Sequence, residues 1–390
     1  MLTVSSYRDC RDAYRHRDLR QALYDEGAAL MGDVIVNLHG EAHRDRRRLE
    51  NRLFRRDVFM YWEREVIPEV VERVLAPAVE AGTGDLVALA RRAMLTLAVR
   101  IAGVDLQDGS DSEFDDLFEI MSRLSRASTV AHATGSKAAI IETGLRALDE
   151  FDERFLQPSI RRRMSIIESG SEQTPADVLS TLLENRDALD LPPEVLRREV
   201  AYFPWVGSHS TSNALAHAMD RIFDWLVKRP AERNLLGGDP ELTQRFVHES
   251  LRLHPPSPVA LRRAVVDVRL ASGVHVPAGE TVVIDVSAAN RDPDVFGPAA
   301  SEFDPHRDLP EGVPLWGLSF GTGFHSCLGQ ELAGGVAPDG GNHKSPLYGA
   351  IAVVARELLR HGATPDPDNP PSLDAESTRP HFGRYPIRLG

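Results

Sequence analysis

Residues 320–329 read FGTGFHSCLG and are followed by QELAG. Glycines at 321, 323 and 329 let the backbone turn sharply and pass close to a flat or bulky neighbour, because glycine enters the positive-φ region without steric cost. The turn surrounds one thiol, Cys327; the chain has 2 cysteines in all, the other being Cys10. A thiolate persists only where N–H donors or positive charge face it. A glycine-lined turn running into a helix from Leu328 supplies both backbone amides and the positive end of a helix dipole. His325, two residues before the thiol, is placed to face an anionic group.

The pattern F-G-x-G-x-H-x-C-x-G is filled in order by Phe320, Gly321, Gly323, His325, Cys327 and Gly329, and it resembles the haem-binding signature of the cytochromes P450. In that family the cysteine thiolate is the axial ligand of haem iron and pushes electron density that favours O–O cleavage. A lone cysteine ordinarily reads as a small buried apolar residue. The run of matched positions overturns that reading. The resemblance implies haem b (iron protoporphyrin IX) as cofactor and Cys327 as its metal ligand.

Working outward, HESLRLHPPSP carries Glu249 and Arg252 at i, i+3, on one helix face where carboxylate and guanidinium can pair. This is similar to the family's E-x-x-R pair, and the stretch NRDPDVFGPAASEFDPHRD resembles the one that supplies the third member of that ion network, here Arg307. Its implied role is structural. His43 and Arg47 stand at i, i+4 in GEAHRDRRRLENRLFRR, so both can reach one anionic partner. They match the family's H-x-x-x-R and, with Arg262 in LRRAVVD, are implied to hold the porphyrin propionates; neighbouring Arg263 leaves that last position open by one residue. The arginines between 44 and 56 read equally as a solvated helix face, with Arg46 or Arg48 and the outer ones available to an acidic redox partner.

The longest helical pattern runs from about Pro192 to Arg229 and resembles the family's central helix, which crosses the distal haem face. The family pattern there is a small residue, Gly, any residue, an acid, then Thr. Here the register Val206, Gly207, Ser208, His209, Ser210, Thr211 keeps the glycine but places His209 at the acid and Ser210 at the threonine. Serine keeps a hydroxyl able to donate, and histidine titrates near neutrality, so a proton relay through His209 stands beside a merely structural reading. Thr211, about 100° further around the helix, is the second hydroxyl. Pro204 removes an amide donor and is expected to bend the helix before this groove.

Proline divides the chain. Of 26 prolines, 9 lie before residue 255 and 17 from it onward, so residues 1–254 should be mainly helical and 255–390 richer in loops and strands. Segments from Val66 and from Asp85 show helical i, i+3, i+4, i+7 periodicity, while residues 262–292 read as β-branched strands with Gly and Pro turns. The stretch from 166 to 175 reads as a polar surface connection, and 334–349 as an insertion in the helix after the cysteine. The family's leading helix and sheet elements are not found before SYRDCRDAYRHRDLRQAL. The reading allows either a start further upstream or a missing sheet edge.

Net charge of −13 disfavours a general nucleic-acid partner. No apolar run reaches membrane-span or signal-peptide length, and two distant cysteines build no disulfide framework, so a cytoplasmic protein is expected. The expectation is one mainly α P450-type domain with small β-sheets over residues 1–390, similar to the family from about 7 to 389. It would be a haem-thiolate monooxygenase acting on a small organic molecule of specialised metabolism. Electrons would come from NAD(P)H through a ferredoxin reductase and ferredoxin, since no flavin or nicotinamide fingerprint is present. By position in the family, Phe203, Val206, Val259, Ala260, Leu261, His381 and Phe382 are the substrate contacts. A peroxide-driven enzyme is the first alternative, because the acid is replaced; a non-catalytic haem sensor is the second.

Overall fold

The computed structural model describes residues 1–170, 175–336 and 346–390. Its axis is a helix of 36 residues, Pro193–Lys228, about 54 Å long at 1.5 Å per residue. The helix starts at Pro193 because proline lacks an amide that would be unpaired there anyway. It runs unbroken through Pro204, where Ser208 donates its hydroxyl to the Pro204 carbonyl at 2.6 Å. Val195, Val200, Phe203, Leu215, Met219 and Leu226 bury around most of its circumference. A helix apolar on most faces is stable only inside other layers.

Those layers form in sequence order. Helix Leu86–Ala102 is capped by Asp85, whose carboxylate accepts from the Ala88 amide at 2.9 Å, and it ends on Gly103 at φ 80°. Helix Asp111–Ser128 is capped by Ser110, whose Oγ accepts from the Glu113 amide at 3.1 Å. The C-terminal half of the central helix packs against Ile67–Ala81, Leu86–Ala102, Pro240–Leu253 and Ala350–Arg360 in one apolar cluster. Its N-terminal half packs against Asp111–Ser128 and Lys137–Phe151 in another.

The third cluster lies on a four-stranded sheet in the order Leu2–Val4, Thr281–Asp285, Val259–Ala264, Leu19–Gln21. The first pair is parallel and the rest antiparallel. Residues 2–4 therefore form a sheet edge, where the sequence reading allowed for a missing one. Val259–Ala264 alternates strictly, with Ala260, Arg262 and Ala264 buried. Helices dominate up to residue 254, and most strands follow it, as the proline distribution predicts.

Most of the 334–349 insertion lies outside the described residues, as do 171–174 of the polar connection. At the edges of the insertion, helix Gln330–Gly334 stops at Gly335 and helix Ala350–Arg360 begins after Gly349. The two edges meet: the Val336 amide donates to the Leu347 carbonyl at 2.8 Å, and Gln244 Nε2 donates to the Gly334 and Leu347 carbonyls at 3.1 and 3.0 Å. Among the described residues no helix is long and apolar enough to cross a membrane.

Candidate functional site

Where the three clusters converge, a cavity of about 1920 Å³, part of it open to solvent, runs between the central helix and the Cys327 turn. Cys327 presents its sulfur to this space. The loop is shaped by Gly321 at φ 63° and Gly323 at φ 79°, where a side chain would be strained. At Gly323 a Cβ would also meet the Arg15 backbone at 3.0 Å. Gly329 differs from the sequence expectation. Its φ is −87°, so positive φ is not why glycine stands there; it lines the cavity and no atom lies within 4 Å of the Cβ position. A side chain would occupy space that a flat group needs.

The Cys327 amide donates to the Phe320 carbonyl at 2.9 Å and closes the loop, while the Phe320 ring packs edge-on against Trp316, centroids 5.6 Å apart. The helix after the thiol starts at Gln330 rather than Leu328 and has only 5 residues. Burial pushes the Cys327 thiol up, opposed by the Gly329 amide and the Arg47 charge. Metal coordination deprotonates a thiol outright, so such a group is poised for ligation rather than for free nucleophilic chemistry.

A cluster of bases flanks the thiol. The rings of His43 and His325 lie 4.1 Å apart, and burial with neighbouring positive charge holds them at about 4 and about 3. Arg47 donates to the Ser326 carbonyl at 2.8 Å. Arg262, 2% exposed, donates to Gln21 Oε1 at 2.5 Å and lies over the Tyr14 ring, yet its Nε is buried without a partner. Among the described residues neither arginine has a carboxylate within salt-bridge reach. The strand pleat also settles the adjacent pair: Arg262 faces the cavity, whereas Arg263 turns away and pairs with Asp25 at 3.3 Å.

The arginine helix, Gly40–Glu50, is not one solvated face. His43 and Arg47 point to the cavity, and Arg48 stays 77% exposed beside Asp45. Arg46 is buried against Glu199 at 2.6 Å, so it is not available to a partner. Glu199 also accepts from the Ile35 amide, and burial raises it to about 7 against the opposing pull of Arg46. Glu50, wholly buried nearby, is raised by burial and by the Glu199 charge. The sequence reading missed Glu199, since i, i+3 and i, i+4 spacing says nothing of a carboxylate 153 positions from Arg46.

Glu249, Arg252 and Arg307 come together. Arg252 is fully buried and forks onto Glu249 at 2.8 and 2.6 Å, and it also donates to the Asn290 and Ala300 carbonyls at 2.6 Å. Arg307 Nε lies 3.5 Å from Glu249, with its other nitrogens on the Phe296, Ala299 and Glu302 carbonyls. Asn290, not singled out by sequence, links this network to the cysteine loop: its Nδ2 donates to the Arg252 carbonyl at 2.9 Å, and its Oδ1 accepts from the Leu318 amide at 2.7 Å.

Gly207, His209, Ser210 and Thr211 all line the opposite wall. At Gly207 a Cβ would approach Ala98 at 3.3 Å, so glycine lets two helices close together beside the groove. The Ser210 hydroxyl donates to the Val206 carbonyl at 2.8 Å, which leaves it an acceptor toward the cavity. Thr211, the lesser candidate by sequence, makes no hydrogen bond within the described residues and keeps its proton available. His209 is held neutral, pushed down to about 3 by burial and by Arg379 and Arg91. The near-neutral titration expected of it does not survive the fold. Arg379 Nη2 lies 3.4 Å from His209 Nε2, and because a guanidinium only donates, Nε2 is the acceptor and Nδ1 carries the proton.

Of the substrate contacts suggested by position, Phe203, Val206 and Ala260 line the cavity, whereas Val259, Leu261, His381 and Phe382 do not. Period-2 alternation turns Val259 and Leu261 away from the face of Ala260. His381 donates from Nε2 to the Pro256 carbonyl at 3.1 Å and lines a separate cleft with His217 and His254. Phe382 packs on His217 and Tyr385, at 4.9 and 5.0 Å. The closing segment instead reaches the cavity through Arg379, opposite Tyr24 and Trp205, none of which the sequence reading named.

A family model described as Cytochrome P450 matches residues 239–334, the segment that holds the ion network and the thiol loop. In this segment, and in its fold as a whole, the chain resembles the cytochromes P450. It is 33% identical over 203 residues to the putative cytochrome P450 140 of Mycobacterium tuberculosis strain H37Rv, covering 50% of this chain and 40% of that protein. The chain spans less than half the length of the curated relatives it matches. Among solved structures it is similar to CalO2, with TM-score 0.77, 22% identity and coverage of 100% of this chain and 90% of that one. It is also similar to a mutant of P450 EryK in complex with erythromycin B, with TM-score 0.75, 22% identity and the same coverages.

Members of the family bind haem b through a cysteine thiolate. The residues present fit that group on three observations. A sulfur faces the cavity, glycine leaves a flat space beside it, and Arg47 and Arg262, the latter with an orphaned buried Nε, have no carboxylate within salt-bridge reach among the described residues.

Proposed function

We propose that this chain is a haem-thiolate monooxygenase acting on an organic substrate of metabolite size. One observation carries the reading: Cys327 faces the same cavity as His43, Arg47, Arg262 and His325, a cluster that has no carboxylate hydrogen-bonded or in salt-bridge reach among the described residues. Four bases beside one thiol would suit an iron macrocycle that carries two carboxylates. Haem, when bound, supplies dioxygen activation and insertion of one oxygen atom into the substrate, with two electrons delivered from outside.

The chain's own residues would do the rest. Cys327 would ligate the haem iron, and His43, Arg47, Arg262 and His325 would hold the propionates. Gly329 would give the ring room, and the Glu249–Arg252–Arg307 network would keep the loop in place. Phe203, Val206 and Ala260 exclude water from the substrate space and set its shape. The Thr211 hydroxyl faces the cavity with its proton uncommitted among the described residues, which makes it a better donor than Ser210. The electron source proposed is a ferredoxin and its reductase, docking by the exposed arginines near Arg48. A substrate from specialised metabolism is supported by the likeness to a fold neighbour that binds erythromycin B.

The carbon-monoxide complex of the reduced protein tests the assignment. A thiolate-type Soret band, lost in Cys327→Ser, is the expected result; a band of nitrogen-ligated position, or one unchanged by the substitution, refutes it.

Peroxide as oxidant is the second reading. Neutral His209 and the Ser210 proton committed to Val206 favour it, because together they leave the former acid–alcohol pair without a ready donor. Turnover with hydrogen peroxide but none with ferredoxin would select this reading over the first.

A further inference from the structure

We propose that Arg379 anchors the carboxylate of an otherwise apolar substrate, so that this cavity selects organic acids. The inference rests on the reading of the cavity as a haem and substrate site and adds the substrate's chemical class.

Arg379 lines the cavity and has no carboxylate within 4 Å among the described residues, and its Nε is buried without a partner. Its side-chain contacts are neutral and long: Nη2 to Thr129 Oγ1 at 3.3 Å and to His209 Nε2 at 3.4 Å. Thr129 has already given its own proton to the Ser125 carbonyl at 2.8 Å, so it turns a lone pair toward the guanidinium. A permanently charged group enclosed by protein is costly unless an anion meets it.

The same cavity is lined by the apolar residues Leu97, Ile101, Phe203 and Val206. With Arg47 and Arg262 engaged by the haem that the proposed function places there, Arg379 would be the cation left to orient a ligand with a single charged end. The cation is also held in advance. The Thr134 amide donates to the Glu376 carbonyl at 3.1 Å, the Thr378 amide to the His132 carbonyl at 2.8 Å, and Arg126 pairs with Glu376 at 3.0 Å. These bonds fix the closing segment against the turn after helix Asp111–Ser128, so binding does not have to order it.

The test uses the haem-loaded protein with dodecanoate and 3-phenylpropanoate, each against its methyl ester, read by spin-state titration and by equilibrium dialysis. At least one acid should bind about tenfold or more tightly than its ester, the scale of a charge-assisted hydrogen bond. Arg379→Gln should abolish that preference and Arg379→Lys should keep most of it, with haem content and the reduced carbon-monoxide band unchanged in both. Equal binding of acids and esters by the parent protein overturns the proposal, as does a preference that survives Arg379→Gln. Haem loss in Arg379→Gln overturns it too, because the cation would then serve the macrocycle. A parent protein without the thiolate-type band defeats the haem-thiolate reading instead, while dialysis still decides the anchor.

Discussion

The two walls of the cavity treat their polar groups in opposite ways. On the cysteine side, the charges of the ion network are internally matched: Arg252 carries two bonds to Glu249 and three to carbonyls, and Asn290 extends them to the loop. The bases beside the thiol lack only the anion that a haem would bring. On the central-helix side the polar groups are unmatched. His209 is neutral, Ser210 is turned onto its own helix, Thr211 is uncommitted, and Arg379 is a cation without an acid. A wall that must hold a cofactor is completed by the protein and that cofactor; a wall that must accept varied ligands leaves its polar groups for the ligand to complete.

Removing a matched group should cost most. Arg252→Ala strips buried Glu249 of its two-pronged partner and leaves it only Arg307 at 3.5 Å and the Asp304 amide, and about 3–5 kcal/mol of stability should be lost, read as a large fall in Tm and in haem incorporation. Retention of both would break the contrast between the walls. On the other side, Thr211→Ala should lower the fraction of electrons that reach product about tenfold while leaving substrate affinity and Tm nearly unchanged. Ser210→Ala should do less, because that proton already belongs to Val206. The reverse order would return the donor role to Ser210.

The buried acid pair gives a smaller, pH-dependent effect. Glu50 is raised by burial and by Glu199, and Arg46 and Arg47 oppose the rise. Above the unfolded carboxylate range the native state binds more protons than the unfolded chain, so stability falls as pH rises through the raised native value. Glu50→Gln removes one of these titrations. The variant's Tm relative to the parent should therefore climb between pH 5 and pH 8, by about 2 °C; a difference independent of pH would show that Glu50 is ionised in the fold. Smallest of all, Arg48→Ala should change stability by less than about 0.5 kcal/mol. It should slow reduction by an acidic ferredoxin, an effect that rising salt erases.

Legibility followed the range of the interactions. The thiol loop, the Glu249–Arg252 spacing and the His43–Arg47 pair were readable because each depends on neighbours within one turn or one helix face. The central helix was readable within one residue at each end, since Pro193 starts it and its apolar content demands burial. Val259, Leu261, His381 and Phe382 were misplaced because linear position cannot say which face of a strand or loop meets a cavity. Arg379 escaped notice although it stands two residues before His381. Nothing in local spacing marks an arginine whose carboxylate is missing.

By itself the sequence determined the helical character up to residue 254, the thiol loop, the ion-network pair and the departure at His209 and Ser210. These are matters of backbone permission and side-chain spacing, which operate over a few residues. Tertiary structure alone decided that Arg262 rather than Arg263 faces the cavity, that Arg46 turns inward to Glu199, and that His209 stays neutral beside Arg379. Those outcomes depend on desolvation and on charges brought together from distant parts of the chain, and both exist only once the layers have closed.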